Sequence, residues 1–230
     1  MNNDLQGRID NVVWDTLIYG YASRENSESL GYGSIFDKYY KDFLNTPFPK
    51  NDSEVVKNEL LEIEKAMKEN DNNQSFLAID RDIENYVISS LNKMNIPMNV
   101  ELLGKITMQV GSVIMRLKHH YQRPRPFQLG WYHKIPVMPY ASTGAQSPSY
   151  PSGHAGQSRF LCLVLAELYP EKREMLIKFS DYIAFSRIAI GVHFTSDNAF
   201  GQAISEYLFK TKECNDFIDE IAQDIDSLSK

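Results

Sequence analysis

Hydrophobic residues recur at intervals of three and four along most of the chain, which is the spacing of helices that each bury one face. No stretch alternates with a period of two for long enough to predict a strand. The helical stripes run through residues 56–67, 76–91, 103–117, 155–168, 171–191, 199–210 and 216–228. The pattern predicts an all-α protein. A chain of 230 residues with no repeat or shift in composition predicts a single-domain helical bundle over its whole length.

The pattern is weakest over residues 1–50, where glycines interrupt any long period and only one or two short helices are expected. After this region Asn51 or Ser53 is the predicted cap of a helix, because acidic residues follow in what would be the first turn.

Prolines concentrate in one part of the chain. Six of the ten lie between residues 124 and 151, which predicts one long Pro-rich loop (about 124–151) after the stripe that ends near residue 117. Long loops in compact domains are usually lids or pocket walls, and proline stiffens the chain. We therefore expect the loop to wall an active site at the helix ends.

Charge and composition exclude several classes of partner. The net charge of −6 argues against a nucleic-acid polymer or an anionic membrane as partner, because either needs a broad basic face. The longest apolar run, residues 160–166, is far shorter than the roughly 20 residues of a membrane span. The two cysteines, Cys162 and Cys214, lack metal-ligand spacing and are expected to be buried free thiols.

The first residues of the chain bear on its compartment. They lack the basic and then apolar segments of a secretory signal. We expect a cytoplasmic protein as the chain is written, and a periplasmic or secreted one if a signal was removed.

Three short stretches carry the candidate chemistry, and the first is Tyr-Pro-Ser-Gly-His at residues 150–154, directly before a helical stripe. Free backbone N–H groups and the helix dipole make such a turn an anion site. His154 could donate a proton to the bound anion. The same residues would also serve as an ordinary helix cap.

The second stretch runs from Lys118 to Pro126. Each proline extends the residue before it, so Arg123 and Arg125 leave the helix end in a stiff segment, and Lys118 and Arg125 can converge on one point. Lysine supplies a compact charge and arginine a planar fork that matches two phosphate oxygens. A solvated basic patch at a helix C-terminus is the other interpretation.

In the third stretch, residues 186–197, Arg187 and His193 stand in an apolar run, where buried polar groups need partners. Asp197 is placed to accept a hydrogen bond from one ring nitrogen of His193, which would leave the other nitrogen free as a nucleophile. A core His–Asp pair with no catalytic role has the same pattern.

Taken in order, K-x6-R-P, P-S-G-H and S-R-x5-H-x3-D resemble the signature of one superfamily. It comprises type 2 phosphatidic acid phosphatases, bacterial non-specific acid phosphatases and vanadium-dependent haloperoxidases. The resemblance covers about residues 100–210 and looks closest to the soluble bacterial class A acid phosphatases, which share Arg-Pro-Phe at 125–127. The N-terminal third cannot be matched.

The resemblance implies a role for each signature residue. The expected phosphate ligands are Lys118, Arg125, Ser152, Gly153 and Arg187. The expected catalytic residues are His193 as the nucleophile that forms a phosphohistidine, Asp197 as the group that orients it and His154 as the general acid and base. The implied activity is metal-independent hydrolysis of small soluble phosphate esters, such as nucleoside monophosphates or sugar phosphates. No cofactor is expected, and vanadate should inhibit as a transition-state-like ligand.

Two other functions remain open from the sequence. One is a vanadate-dependent haloperoxidase, whose relatives are usually much larger. The other is a non-catalytic phosphate-binding module, which would need the cations but neither histidine. Relatives also suggest a homo-oligomer, which the helical surface permits.

Overall fold

The computed structural model of the protein describes residues 33–70 and 73–228. Within these residues the chain forms nine α-helices and no strand. The helices are α1 Glu54–Glu69, α2 Asn73–Arg81, α3 Ile83–Lys93, α4 Val100–Tyr121, α5 Pro126–His133, α6 Gly153–Leu168, α7 Arg173–Ala189, α8 Thr195–Phe209 and α9 Lys212–Leu228. Short 3-10 helices lie at Asp37–Phe43, Thr143–Ala145 and Pro170–Lys172. The all-α prediction is confirmed.

Helix α6 is the centre of the bundle. Its residues are buried around most of its circumference, and it packs against α4, α7 and α8. A helix that is apolar all round belongs in a core. The helix packs most closely on α8, where a Cβ built on Gly201 would lie 2.5 Å from Ser152 O and one on Gly156 would lie 2.9 Å from Gly201 O. Glycine at both positions therefore lets the two helices approach.

One predicted stripe is divided in the structure. The stripe over residues 76–91 forms two helices, α2 and α3, because Asp82 caps a new helix by accepting a hydrogen bond from Asn85 N at 3.2 Å. Both helices bury the same apolar series, so the periodicity continues through the break.

The Pro-rich segment differs from the expected uninterrupted loop, because it contains α5 and the short 3-10 helix Thr143–Ala145. Pro126 is the first residue of α5, where the missing N–H of proline removes no helical hydrogen bond. Arg125 N donates to Gln128 Oε1 at 2.7 Å and caps the helix start. The remaining residues 134–142 and 146–152 are irregular.

The helix cap expected at Asn51 or Ser53 is Ser53, whose side chain accepts from Val56 N. Cys162 and Cys214 are buried free thiols, as predicted. Among the described residues, no helix combines the length and apolar character needed to cross a bilayer. The short helices expected within residues 1–50 are represented by Asp37–Phe43. Residues 1–32 lie outside the described part.

Candidate active site

The structure brings the three candidate stretches together at one end of the bundle. They lie at the end of α4, at the start of α6 and before α8. Two backbone hydrogen bonds join them: Ser149 N donates to Arg123 O at 2.9 Å, and Ser152 N donates to Asp197 O at 3.0 Å. The site is therefore held by the main chain as well as by side chains.

The tautomer of His193 is fixed by its two neighbours. Nδ1 lies 3.0 Å from Asp197 Oδ2, and Nε2 lies 2.9 Å from Arg125 Nη1. A carboxylate only accepts and a guanidinium only donates, so the ring hydrogen is on Nδ1 and Nε2 carries a lone pair. Burial and the charge of Arg125 hold the pKa of His193 well below its usual range, which keeps the ring neutral.

Asp197 is the third residue of α8, where its carboxylate accepts from Phe194 N at 2.9 Å and from the Ser149 hydroxyl. Arg123 Nη1 donates to the second oxygen at 2.6 Å. Burial opposes ionisation of this carboxyl. The Arg123 charge and the hydrogen bonds from His193 and Ser149 outweigh that effect and hold the pKa of Asp197 below its usual range.

Two of the expected phosphate-binding cations are held by carbonyl groups of the Pro-rich segment. Lys118 Nζ donates to Pro148 O at 2.5 Å and to Ser149 O at 3.3 Å. Arg125 Nε donates to Ser147 O at 2.9 Å. Both side chains are buried, and burial together with the charge of Arg125 lowers the pKa of Lys118. An anion bound between these cations would offset both the cost of burying them and the repulsion between their charges.

Arg187 is the third cation and is fully buried. Its Nη2 donates to Asp80 Oδ1 at 2.6 Å, which anchors the guanidinium from α2. Its Nε and Nη1 are also buried and have no hydrogen-bond partner among the described residues. Two buried donors of a charged group without partners are costly, and phosphate oxygens are the acceptors that suit them.

Ser152 and Gly153 begin α6, as the sequence predicts. Ser152 Oγ accepts from Ala155 N at 3.4 Å and caps the helix, which leaves its hydroxyl hydrogen for another acceptor. Gly153 is in the first turn, where backbone N–H groups have no partner within the helix.

His154 lies beside Arg187 and Gly144. A Cβ built on Gly144 would be 3.0 Å from His154 Cε1 and 3.4 Å from Arg187 Nη2, so glycine allows the segment to pass this close. Burial and the charges of Arg187, Lys118 and Arg125 hold the pKa of His154 well below its usual range. The ring is therefore neutral until an anion offsets those cations.

The sequence missed several residues that support the site. The sequence places Arg123 in the stiff segment and indicates no role for it. In the structure Arg123 binds both Asp197 and Glu59. Glu59 also accepts from Ser196 N at 2.6 Å. The sequence signal for Arg123 is that it directly precedes a proline, as Arg125 does. The sequence contains no signal for Asp80 or Glu59, because each contacts its partner from a helix that is distant along the chain.

No group of three or more His, Cys, Asp or Glu side chains suited to a metal ion occurs in residues 33–70 and 73–228. The site therefore combines a neutral His193, an ionised Asp197 and the three buried cations Lys118, Arg125 and Arg187. Residues 100–211 match the model of the PAP2 superfamily, just under half of the chain. The matched segment carries all three stretches.

Two curated proteins are similar to part of the chain. They are named non-specific acid phosphatase and come from Salmonella typhimurium (strain LT2) and Salmonella typhi. Each is 34% identical over 92 residues, which is 40% of this chain. The aligned part spans only 36% of the length of these relatives.

Proposed function

We propose that the protein is a metal-independent phosphomonoesterase that hydrolyses small phosphate esters through a phosphohistidine. One observation carries the proposal. His193 Nδ1 donates its hydrogen to Asp197 and the Nε2 lone pair points toward Arg125, so the nitrogen that would attack faces a guanidinium that can also bind phosphate. The similarity to acid phosphatases supports the same activity.

Binding would be electrostatic. Arg187 offers two buried donors, and Lys118 and Arg125 add positive charge. The Ser152 hydroxyl and the Gly153 N–H complete the donor set at the start of α6. Fixed charges in a water-poor site stabilise the phosphoryl group as charge develops on it, without reorganisation.

The chemistry would have two steps. In the first, a bond forms between His193 Nε2 and phosphorus, the ester P–O bond breaks, and His154 gives its proton to the leaving alcohol oxygen. In the second, His154 takes a proton from water as the water oxygen attacks phosphorus and the N–P bond breaks. Inorganic phosphate leaves with the proton that His154 took from water, and the original enzyme with neutral His154 results.

The proton on His154 needs a source, because the ring is neutral in the free protein. A phosphomonoester monoanion would bring this proton with it. Once the phosphate offsets much of the charge of the three cations, the proton can move from the substrate to His154, since less positive charge opposes protonation.

The proposal includes the class of ligand. Small esters fit a buried cradle, and the net charge of −6 opposes binding of nucleic-acid polymers or anionic membranes. A cytoplasmic location and a homo-oligomer stay predictions.

Hydrolysis of a panel of phosphomonoesters by the wild-type protein and by His193→Ala tests the proposal. We expect release of phosphate that survives dialysis against a strong chelator and that vanishes in the variant. Loss of activity that returns with a divalent ion contradicts the metal-free mechanism. Oxidation of bromide by peroxide with bound vanadate, without hydrolysis of any ester, would favour the haloperoxidase. Phosphate binding without turnover would favour a binding module.

A further inference from the structure

A cavity of ≈ 160 Å³ lies between α3, α4, α6 and α7, and His154 forms part of its wall. The large apolar residues of the wall are Ile83, Val87, Leu103, Leu161 and Ile183. In the proposed reaction His154 protonates the leaving oxygen, so the carbon atoms attached to that oxygen must lie near His154. The cavity is placed to hold them.

Besides His154 and the exposed Glu84, three polar residues line the same wall, and each of them donates to the backbone. Thr107 Oγ1 donates to Leu103 O at 2.9 Å, Gln157 Nε2 donates to Thr107 O at 3.4 Å, and Ser158 Oγ donates to Ala155 O at 3.3 Å. Their donors are directed at the backbone, so the hydroxyls of a sugar would lose their hydrogen bonds to water and gain few in return.

A second cavity adjoins the first and shares Ile83, Glu84 and His154 with it. Its charged lining consists of Asp80, Arg81, Asp82 and Glu84. Asp80 is paired with Arg187, and the exposed carboxylates of Asp82 and Glu84 outnumber the exposed Arg81, which disfavours a leaving group that carries further negative charge.

From this geometry we propose that the apolar cavity is the leaving-group site and that it selects uncharged apolar alcohols about the size of one six-membered ring. The proposal rests on the phosphomonoesterase function proposed above. An apolar protein cavity of about 150 Å³ binds benzene, so the volume suits one ring and is small for a nucleoside. It narrows the substrates expected from the sequence, nucleotides and sugar phosphates, to phosphate esters of apolar alcohols with one ring, such as benzyl phosphate.

Benzyl, methyl and glycerol phosphates test this, because all three release an alkyl alcohol and differ mainly in the group that enters the cavity. We expect kcat/KM for benzyl phosphate to exceed that of the other two by about 10- to 100-fold, the value of burying one ring. Benzylphosphonate and methylphosphonate, which are not hydrolysed, should differ in affinity by a similar factor in calorimetry with the intact protein.

A variant that fills the cavity tests whether the preference for benzyl phosphate arises there. Gly104 lines the cavity, and a Cβ built there meets nothing within 4 Å, so Gly104→Leu can place its side chain in the space. This change should lower the benzyl-to-methyl ratio at least tenfold. Met108→Leu is the matched control, since Met108 lies one turn further along α4 and is 64% exposed, and it should keep the wild-type ratio.

The outcomes separate this inference from the proposed function. If the wild-type protein hydrolyses all three esters equally and binds both phosphonates equally, the leaving-group site is wrong and the phosphatase stands. If no ester is hydrolysed, the phosphatase is wrong, and the phosphonate affinities still decide whether the cavity binds a ring. A benzyl preference that survives in folded Gly104→Leu places the ring elsewhere and overturns the assignment. Thr107→Met, which narrows the same cavity, replaces Gly104→Leu if that variant does not fold.

Discussion

Arg123 Nη1 lies 2.6 Å from Asp197 Oδ1, and neither side chain has any exposed surface. The pair connects His193 to buried residues behind it, because the other oxygen of Asp197 accepts from His193 and Arg123 also reaches Glu59 at 3.4 Å. Arg123 touches no reacting atom in the proposed mechanism. It is a positioning residue, acting on His193 through Asp197.

We expect Arg123→Met to lose about 3–5 kcal/mol of unfolding free energy, because it leaves two carboxylates buried without their cation. It should also lower kcat more than it raises KM, since the orientation of His193 is disturbed and the phosphate ligands remain. Urea unfolding and steady-state kinetics measure both effects. Arg123→Lys keeps the charge without the planar fork and should recover part of kcat.

Arg159→Met is the control for this change. Arg159 is also largely buried, but it pairs with Asp181 and Glu206, which are exposed. It should lose less stability than Arg123→Met and keep the wild-type kcat. Equal kcat in Arg123→Met and the wild-type protein would remove the positioning role.

Much of this arrangement could be predicted from the sequence, and for a local reason. Each helix buries one face, so its period appears in consecutive residues. The signature residues lie within three stretches of 12 residues or fewer, so local spacing indicates a helix start at Ser152 that could bind an anion and the pairing of His193 with Asp197.

What could not be predicted are contacts between distant residues and proline at a helix start. Arg187 meets Asp80 across 107 positions and Arg123 meets Glu59 across 64, and neither pairing leaves a pattern near either residue. Helix α4 ends at Tyr121, before the first proline, and Pro126 starts α5, since proline is excluded from a helix interior and favoured in its first turn.

Phosphate and vanadate should stabilise the folded protein. They can satisfy the two buried donors of Arg187 and offset three cations, and a ligand present at about 100 times its dissociation constant adds roughly 2.7 kcal/mol. Thermal unfolding with increasing ligand measures the effect. Arg187→Ala should lose most of the shift, whereas Lys178→Ala, on the exposed side of α7, should keep it. The same shift in both variants would place the anion elsewhere.

The pH dependence of kcat/KM should reveal the depressed pKa of His154. When this pKa lies well below 6.5, the productive complex combines protein whose His154 and His193 are neutral with the monoanionic form of the ester. Activity then falls above the second pKa of the ester, near ~6, and falls again at lower pH when the histidines take up protons. Esters with different second pKa values should move the alkaline limb with them. If the alkaline limb stays near pH 6.5 for every ester, it reflects a histidine whose pKa is not shifted.

Gly201→Ala should destabilise the protein by about 1–3 kcal/mol, because the added methyl group would lie 2.5 Å from the backbone oxygen of Ser152 and force α6 and α8 apart. It should also lower activity, since the same contact sets the start of α6. Gly104→Ala is the stability control. Its Cβ meets nothing within 4 Å, and alanine favours the helix by up to about 1 kcal/mol. Denaturant unfolding compares the two, and equal stability would show that the close approach is not required.

Substitutions of the two histidines should impair different steps of the reaction. His193→Ala removes the nucleophile and should abolish phosphoenzyme formation with every ester, while His154→Ala leaves a nucleophile that still attacks when the leaving group needs no proton. With an alkyl phosphate we expect His154→Ala to lose on the order of 10²–10⁴ in rate, the usual value of general acid catalysis. With a nitrophenyl ester, whose leaving group departs as a stable anion, much of that loss should disappear from the phosphorylation step. Rapid quench of His154→Ala should then trap phosphate on His193, because the group that activates water for the second step is also missing. Label on Ser152, or equal losses in both variants with both leaving groups, would overturn the assigned roles.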